Sequence, residues 1–392
     1  MRPSTLSAAV RRAVLPLALA AALLPANAPA LPEGIARGAE EGLAQLYRLE
    51  FDAALATFEK LKKDFPDHPA PPALEAAAVW WESRYAFSLP SPAAGTAVER
   101  NVREAVRLGR KMAKQPGREC EGNLFIGGAM GVGAHWNLLL GNWFRAALDA
   151  RQAVHTLRPL LSCSEFADEA SFGLGMYEYA AAKLPWHMRW LSTFLIGGMN
   201  DRNRALERLA RAAAGARFLR SDAQGMLAVT YTIYDTDPAL ALKYSSMLLR
   251  ERPDSPMAAG LHLQALCFAT RFEEALDAAR KFAAGKGTFA SETATFRYWE
   301  GIALLGLQRP AEAVQSFSAA LAVPGRPPWH AASLLKRGCA LDALGRREEA
   351  LRDYRALAGL PDPWKEAKRA AIYLSRPFTW GDFPREISPR GI

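Results

Sequence analysis

The sequence predicts an all-α protein, a solenoid of about eight antiparallel helix hairpins stacked in chain order. Three observations predict it: apolar residues recur at helical spacing, turn residues separate these runs, and the same layout returns along the chain. In the clearest unit, residues 334–363, Gly345 marks a turn, and Ala350, Tyr354 and Leu357 then share one face of a second helix. Such a hairpin has apolar residues on two sides, so it has to stack on its neighbours.

The small, bulky and apolar positions of that unit recur in four earlier stretches. Their residues are, in chain order, Ala54, Phe58, Leu61 and Pro66; Ala241, Ser245, Leu248 and Pro253; Ala275, Ala279 and Phe282; and Gly301, Ala313, Phe317 and Ala320. The layout resembles the tetratricopeptide repeat (TPR), a family of paired antiparallel helices of about 34 residues. The resemblance implies a right-handed superhelix whose first helices line a concave groove.

Each predicted hairpin aligns on one alanine of its second helix. These anchor alanines are Ala54, Ala105, Ala147, Ala205, Ala241, Ala275, Ala313 and Ala350. The hairpins are irregular over residues 31–215 and regular over 216–375, and residues 376–392 form an aromatic, proline-rich tail. Because the gap between Ala147 and Ala205 exceeds a standard repeat by about 24 residues, it indicates an insertion.

The insertion covers residues 184–200 and reads LPWHMRWLSTFLIGGMN. Trp186, Arg189 and Trp190 are typical of a lid over a ligand or of a membrane-interfacial segment. The other interpretation is that its apolar middle packs over the groove or over neighbouring hairpins.

The block around this insertion, residues 172–209, carries a second and looser resemblance. It is similar to a eukaryotic TPR family, some members of which are tied to the mitochondrial outer membrane. That family also has a Leu-Pro after an apolar segment and a Gly-x-Asp-Arg before a helix, near Gly198, Asp201 and Arg202 here. Asn200 and Asp201 also offer a cap for the helix that follows.

The first thirty residues predict a secretory signal peptide. Three arginines and no acidic residue accompany the apolar run 13–24, and Ala28 and Ala30 occupy the small-x-small positions before a cleavage site. The run is too short for a comfortable transmembrane span. We expect cleavage near Ala30 and export to the periplasm or the medium. Loss of the three arginines lowers the net charge from +9 to +6.

The four cysteines fall into two pairs by their surroundings. Cys120 and Cys163 each lie just before a predicted helix, at equivalent places of neighbouring hairpins, so a disulfide between them is one outcome and two free thiols the other. Cys267 and Cys339 lie inside apolar helical patterns, which favours buried thiols.

Charge and motif patterns argue against several function classes. Basic residues are scattered through helical stretches, as in RNVREAVRLGRKMAK at 100–114, instead of forming a block with interleaved aromatics, which argues against nucleic-acid binding. The glycine-rich run 122–143 lacks the G-K-[ST] of a phosphate loop and predicts a buried helix. Histidines and cysteines lack metal-ligand spacing. We therefore expect no enzyme, no metal and no cofactor.

The TPR resemblance places six residues on the concave groove. Counted back from the anchor alanines, they are Tyr47, Trp136, Tyr234, Gln264, Tyr298 and Asp342. This set is aromatic and nearly uncharged, which favours an apolar or extended peptide, unless the tail or a neighbouring hairpin fills the groove. We expect a scaffold that binds a protein or peptide partner in envelope assembly or maintenance. The alternative is a lipid or small-molecule binding module, with peripheral membrane contact through the insertion.

Overall fold

The computed structural model describes residues 31–85, 90–184, 200–324, 327–360 and 365–387. The predicted signal peptide lies outside these residues, as does most of the insertion, including Trp186, Arg189 and Trp190, and both stay predictions. Within the described residues the chain is helical and contains no strand. This confirms the all-α class.

Consecutive helices pack on one another along the described chain, which is consistent with an α-solenoid. Their bounds are α1 Glu33–Tyr47, α2 Phe51–Asp64, α3 Ala70–Tyr85, α4 Pro92–Met112, α5 Glu119–Leu139, α6 Trp143–Leu157, α7 Ala167–Ala182, α8 Arg202–Gly215, α9 Arg220–Val229, α10 Pro238–Glu251, α11 Pro256–Phe268, α12 Phe272–Ala283, α13 Thr293–Gly306, α14 Pro310–Leu321, α15 Pro327–Ala343, α16 Arg347–Ala356, α17 Glu366–Ser375 and α18 Phe383–Ile387. A π-helical turn, Thr230–Tyr234, extends α9.

Side-chain caps set several helix starts. Ser91 Oγ accepts a hydrogen bond from the amide of Ala94 at 3.1 Å, and a proline takes the first position of α4. Asp201 accepts hydrogen bonds from the amides of Asn203 and Arg204 at the start of α8. Of the two residues predicted to offer a cap, Asn200 and Asp201, Asp201 is the one that caps α8.

Small residues of one helix meet bulky residues of its hairpin partner. A side chain at Gly338 of α15 would overlap the ring of Tyr354 in α16, and one at Gly301 of α13 would overlap Phe317 in α14. In these two hairpins glycine therefore lets the helices approach while the ring fills the groove between them.

The anchor alanines are the tightest positions of the second helices. Ala54, Ala105, Ala205, Ala241, Ala275, Ala313 and Ala350 are all fully buried. Ala147 is the exception, because it is only half-buried while Ala146 is buried beside Ala153 and Val154. The predicted register of α6 is thus wrong by one residue, since the buried stripe of this helix runs through Ala146.

A disulfide and a buried ion pair link helices in the middle of the chain. Cys120 at the start of α5 and Cys163 before α7 form a disulfide, with their Cα atoms 6.4 Å apart. Glu178 of α7 is fully buried and accepts hydrogen bonds from Arg204 Nε at 2.6 Å and Arg208 Nε at 3.1 Å in α8. This buried carboxylate is therefore balanced inside the chain.

The first hairpin packs against helices that follow it by about two hundred residues. Ser255 Oγ donates a hydrogen bond to the carbonyl oxygen of Tyr47 at 2.6 Å, and Arg48 forms an ion pair with Asp254 at 3.3 Å. The Tyr47 side chain joins Leu248 in one apolar cluster. The stack therefore returns onto its own first hairpin.

The C-terminal tail packs on α13 to α16. Lys336 is 1% exposed, and its ammonium contacts the carboxylate of Glu386 and donates a hydrogen bond to the Glu386 carbonyl oxygen at 2.9 Å. The amide of Phe378 donates a hydrogen bond to Asp342 Oδ2 at 2.8 Å. Phe383 packs on the apolar cluster of α13 and α14. The tail is thus an integral part of the core.

Candidate functional site

The six residues predicted to line the groove do not share an open surface. Tyr47, Trp136, Tyr298 and Asp342 are buried, Gln264 is half-buried, and Tyr234 is 53% exposed. Tyr47 is covered by the contacts of the first hairpin described above. The expectation of one open groove lined by all six residues is therefore not met.

The C-terminal region accounts for the burial of two of them. The ring of Tyr298 lies 5.1 Å from that of Trp329, in the cluster on which the tail packs. Asp342 accepts hydrogen bonds from the Tyr354 hydroxyl at 2.9 Å, from the Phe378 amide at 2.8 Å and from Arg347. Packing of the tail on these residues matches the alternative that the chain fills its own groove.

A cleft of about 640 Å³ opens between α4 and α6, above α5, and we call it the α4–α6 cleft. The two long helices α4 and α5 run antiparallel at close range, because a Cβ at Gly122 would lie 2.6 Å from the carbonyl oxygen of Gly109. At their other ends, a Cβ at Gly95 would lie 3.8 Å from Trp136. The cleft volume falls in the range of ligand sites.

The floor of the cleft is apolar. Val98, Val102 and Val106 follow one another along α4 at a spacing of four residues, and Met130 and Trp136 face them from α5. Gly133 lies on the same floor. An apolar ligand surface can therefore lie along α4 for about two turns.

The walls of the cleft are mainly cationic. Six basic side chains and two carboxylates line it: Arg103, Arg107, Arg110, Lys111, Lys114 and Arg145, with Glu99 and Asp149. Three of the cations have partners, since Arg103 contacts Glu99 at 4.0 Å, and Arg107 and Lys111 pair with carboxylates outside the cleft. Arg110 and Lys114 are exposed and form no ion pair within the described chain.

The charges divide the cleft into two ends. Glu99 and Asp149 lie beside Trp136, where Arg103 and Arg145 balance them. Burial raises the pKa of Asp149, against a hydrogen bond from Asn137 Nδ2 at 2.9 Å and the charge of Arg145. Trp136 Nε1 is buried without a hydrogen-bond partner among the described residues. We call this the tryptophan end, and the opposite end, with Arg110 and Lys114, the basic end.

A cluster of exposed apolar side chains adjoins the tryptophan end. Of the eleven large apolar residues that are exposed in the described chain, five fall within residues 138–148: Leu138, Leu140, Trp143, Phe144 and Leu148. Trp143 is 72% and Phe144 77% exposed at the turn between α5 and α6. We call these five residues the apolar tip. Grouped exposure of this kind marks a binding surface, unlike single exposed apolar residues.

Other features that could support chemistry have structural partners. His68 Nε2 and Glu121 Oε1 lie 2.8 Å apart in the core, and Cys267 and Cys339 are buried thiols. Across the described ranges, no cluster of three histidine, cysteine or acidic side chains is placed to hold a metal ion. In the same ranges no helix has the length and apolarity required to cross a bilayer.

The sequence contained signals for both surfaces. Arg103, Arg107, Arg110 and Lys114 follow a 4-3-4 spacing, which places them along one side of α4, although the stretch reads as an ordinary mixed-charge helix. Trp143 follows a glycine and an asparagine at a turn, where a large apolar side chain has little to pack against. A scan for cation stripes and for aromatics at turns would have found both.

Comparisons with known proteins leave the site to be interpreted from its own geometry. No protein-family model matches this sequence, and a search of curated proteins finds no significant match.

Proposed function

We propose that this protein is an exported, non-catalytic helical-repeat scaffold that binds a protein partner at its apolar tip. The observation that carries the proposal is the grouping of five exposed large apolar side chains where α5 ends and α6 begins, with Trp143 and Phe144 at its centre. Aromatic side chains of this kind supply most of the binding free energy at protein interfaces. The role envisaged is assembly or maintenance of the cell envelope.

The scaffold is, in this proposal, a right-handed TPR-like superhelix of eight hairpins. Support comes from the recurrence of a fully buried alanine near the start of the second helices, as in Ala241, Ala275, Ala313 and Ala350. The pairing of α1 with α2, α3 with α4, and so on to α15 with α16 gives eight units. Stacked repeats of this type expose long surfaces that serve binding.

Export is supported by two independent features. The first thirty residues have the charged, apolar and small-residue segments of a secretory signal. The Cys120–Cys163 disulfide fits an oxidising compartment such as the periplasm, because thiols stay reduced in the cytosol. Cleavage near Ala30 would leave the helical array to begin at α1.

The partner surface should be apolar with acidic groups at its edge. Arg145 follows Phe144 directly and is exposed in the first turn of α6. A guanidinium group beside an apolar patch favours carboxylates on the partner. A protein partner fits this arrangement because aromatic anchors are surrounded by a polar, charged rim.

The experiment uses a photo-crosslinking amino acid at position 144, with the same amino acid at Leu344 as the matched control. Leu344 is also exposed, at the turn between α15 and α16. We expect a partner to crosslink from position 144 alone. Trp143→Ala/Phe144→Ala should then weaken binding of the purified partner at least tenfold, and Arg145→Glu should weaken it further. Equal crosslinking from both positions, or full affinity of the double variant, would refute the proposal.

The alternative proposal, a lipid or small-molecule binding module that uses the insertion 184–200, depends on the sequence alone. Trp186, Arg189 and Trp190 lie outside the described residues. Flotation of the mature chain with vesicles of anionic phospholipid tests it directly, and the variant Trp186→Ala/Trp190→Ala should abolish flotation if the insertion makes the contact.

A further inference from the structure

The α4–α6 cleft is separate from the apolar tip in its chemistry. The tip projects from a turn, whereas the cleft is concave, with an apolar floor and cationic walls. The protein-binding proposal does not use Arg110, Lys114 or the valine floor. The cleft therefore calls for its own ligand.

From the tryptophan end to the basic end, the cleft presents first the apolar floor and then the cations Arg110 and Lys114, which are unpaired within the described chain. Because α4 and α5 are antiparallel, Val98 lies level with Trp136, and Arg110 lies beyond Val106 near Gly122. The valine run from Val98 to Val106 is about 12 Å long, the extended length of an alkyl chain of about ten carbons. One apolar segment thus leads into one cationic site.

The distribution of charge selects the class of ligand. At the tryptophan end Glu99 and Asp149 balance the nearby guanidinium groups, so a ligand that is acidic along its whole length would meet carboxylates there. At the basic end Arg110 and Lys114 form no ion pair in the described chain. A ligand with a single anionic head and an apolar body complements both ends.

We propose that the α4–α6 cleft binds an amphiphilic anion, an alkyl chain with one phosphate or carboxylate head. The head lies between Arg110 and Lys114, where guanidinium and ammonium groups donate charge-assisted hydrogen bonds to its oxygens. The alkyl chain lies on Val102, Val106 and Met130, with its end towards Trp136. Burial of this chain away from water contributes most of the affinity.

Gly133 offers a way to block the floor without replacing a charged residue. A Cβ at this position would lie 3.4 Å from Asp149 Oδ2 and 3.6 Å from Val102, which is ordinary van der Waals contact. Alanine therefore fits, whereas the longer side chain in Gly133→Met would extend over the floor and occupy the place of the alkyl chain. Gly133→Ala is the control for the loss of glycine in α5.

The test is calorimetric titration of the purified chain with decyl phosphate and decanoate, at concentrations below micelle formation. We expect both anions to bind, and decyltrimethylammonium and decyl glucoside to bind at least tenfold more weakly. Arg110→Ala/Lys114→Ala should weaken the anions at least tenfold. Arg250→Ala/Lys281→Ala, which removes two exposed cations from α10 and α12, should not. Gly133→Met should abolish binding and Gly133→Ala should preserve it.

Two further ligands separate free alkyl anions from phospholipid. Lysophosphatidylglycerol carries the same anionic phosphate on a larger head, and binding as tight as that of decyl phosphate would assign the cleft to a lipid, whereas binding of decyl phosphate alone would assign it to a free alkyl anion. Three results would overturn the proposal. Neutral and anionic ligands could bind equally well, the variant Arg110→Ala/Lys114→Ala could bind the anions as tightly as the unmodified chain does, or an acidic helical peptide could bind more tightly than the alkyl anions. Circular dichroism of each variant identifies any that fails to fold. Partner crosslinking at position 144 should be unchanged in the cleft variants, so the two proposals can fail separately.

Discussion

The predicted groove and the apolar tip both contain aromatic residues, but the chain covers most of those in the groove and leaves those at the tip exposed. In the region of Tyr298 and Asp342 the C-terminal tail packs on α13 and α15, and Lys336 and Glu386 meet in the interior. At the tip, by contrast, Trp143 and Phe144 are more than 70% exposed. Aromatic content alone therefore does not identify a binding surface. The decisive question is whether another segment of the same chain is long enough and apolar enough to cover it.

The largest effect is expected from a substitution that disrupts the packing of the C-terminal tail on the helical core. Lys336→Met removes the cation beside Glu386. Burial by itself would raise the pKa of the Glu386 carboxyl, but Lys336, Tyr373 and Arg369 together hold that pKa below its ordinary value. Removal of one partner from a buried ion pair should lower the free energy of unfolding by about 3–5 kcal/mol. Chemical denaturation measures the change. Lys281→Met, on an exposed lysine, is the control.

The double variant Lys336→Met/Glu386→Gln removes both charges and should regain part of the lost free energy of unfolding. A free energy of unfolding for Lys336→Met equal to that of the unmodified chain would mean that the tail does not pack in solution as described.

A second prediction concerns Asp222, a carboxylate near Tyr47 of the first hairpin. Burial raises the pKa of Asp222 to about 6, against a hydrogen bond from Tyr47 and the charge of Arg252. Asp222 as a whole is half-buried, but its Oδ2 is fully enclosed and lacks a hydrogen-bond partner among the described residues. Burial therefore disfavours the ionised form of this side chain. The folded chain thus holds the proton more tightly than the unfolded chain does.

The resulting stabilisation is present below about pH 4 and is lost as the pH rises through about 6. Asp222→Asn cannot ionise, so it should raise the free energy of unfolding at pH 8 by up to about 3 kcal/mol and change it little at pH 4. Denaturation at the two pH values measures this difference, with Asp52→Asn on an exposed carboxylate as the control. A loss of stability at pH 8 would show that the ionised form is the one the fold requires.

The smallest expected effect sharpens the comparison at the tip. Trp143→Ala/Phe144→Ala removes side chains that are already in water, so the free energy of unfolding should change by less than about 0.5 kcal/mol. The matched variant Tyr298→Ala removes a buried ring and should cost about 3–5 kcal/mol. Thermal denaturation of both variants makes the comparison. A large loss in the tip variant would mean that the tip packs on another part of the chain.

Most of the fold could be predicted from local patterns, and most of the site could not. The hairpin pattern of Ala350 and Tyr354 depends on residues a few positions apart, so helical periodicity is enough to place them. The register of α6 failed by one residue because Ala146 and Ala147 are both small and only packing distinguishes them. The burial of Tyr47 and Asp342 could not be predicted because the covering residues, such as Ser255 and Phe378, are remote in sequence from what they cover.

The sequence by itself determined the all-helical class, a cap at Asn200 or Asp201 and seven of the eight buried anchor alanines, because each depends on short-range spacing and on residue size. Only the tertiary structure decided which surfaces stay open. The return of the chain onto Tyr47, the packing of the tail on Tyr298, and the meeting of α4, α5 and α6 around a basic cleft all bring together groups from separate helices. No local pattern encodes these distances, since they follow from how helices that are distant in the sequence pack on one another.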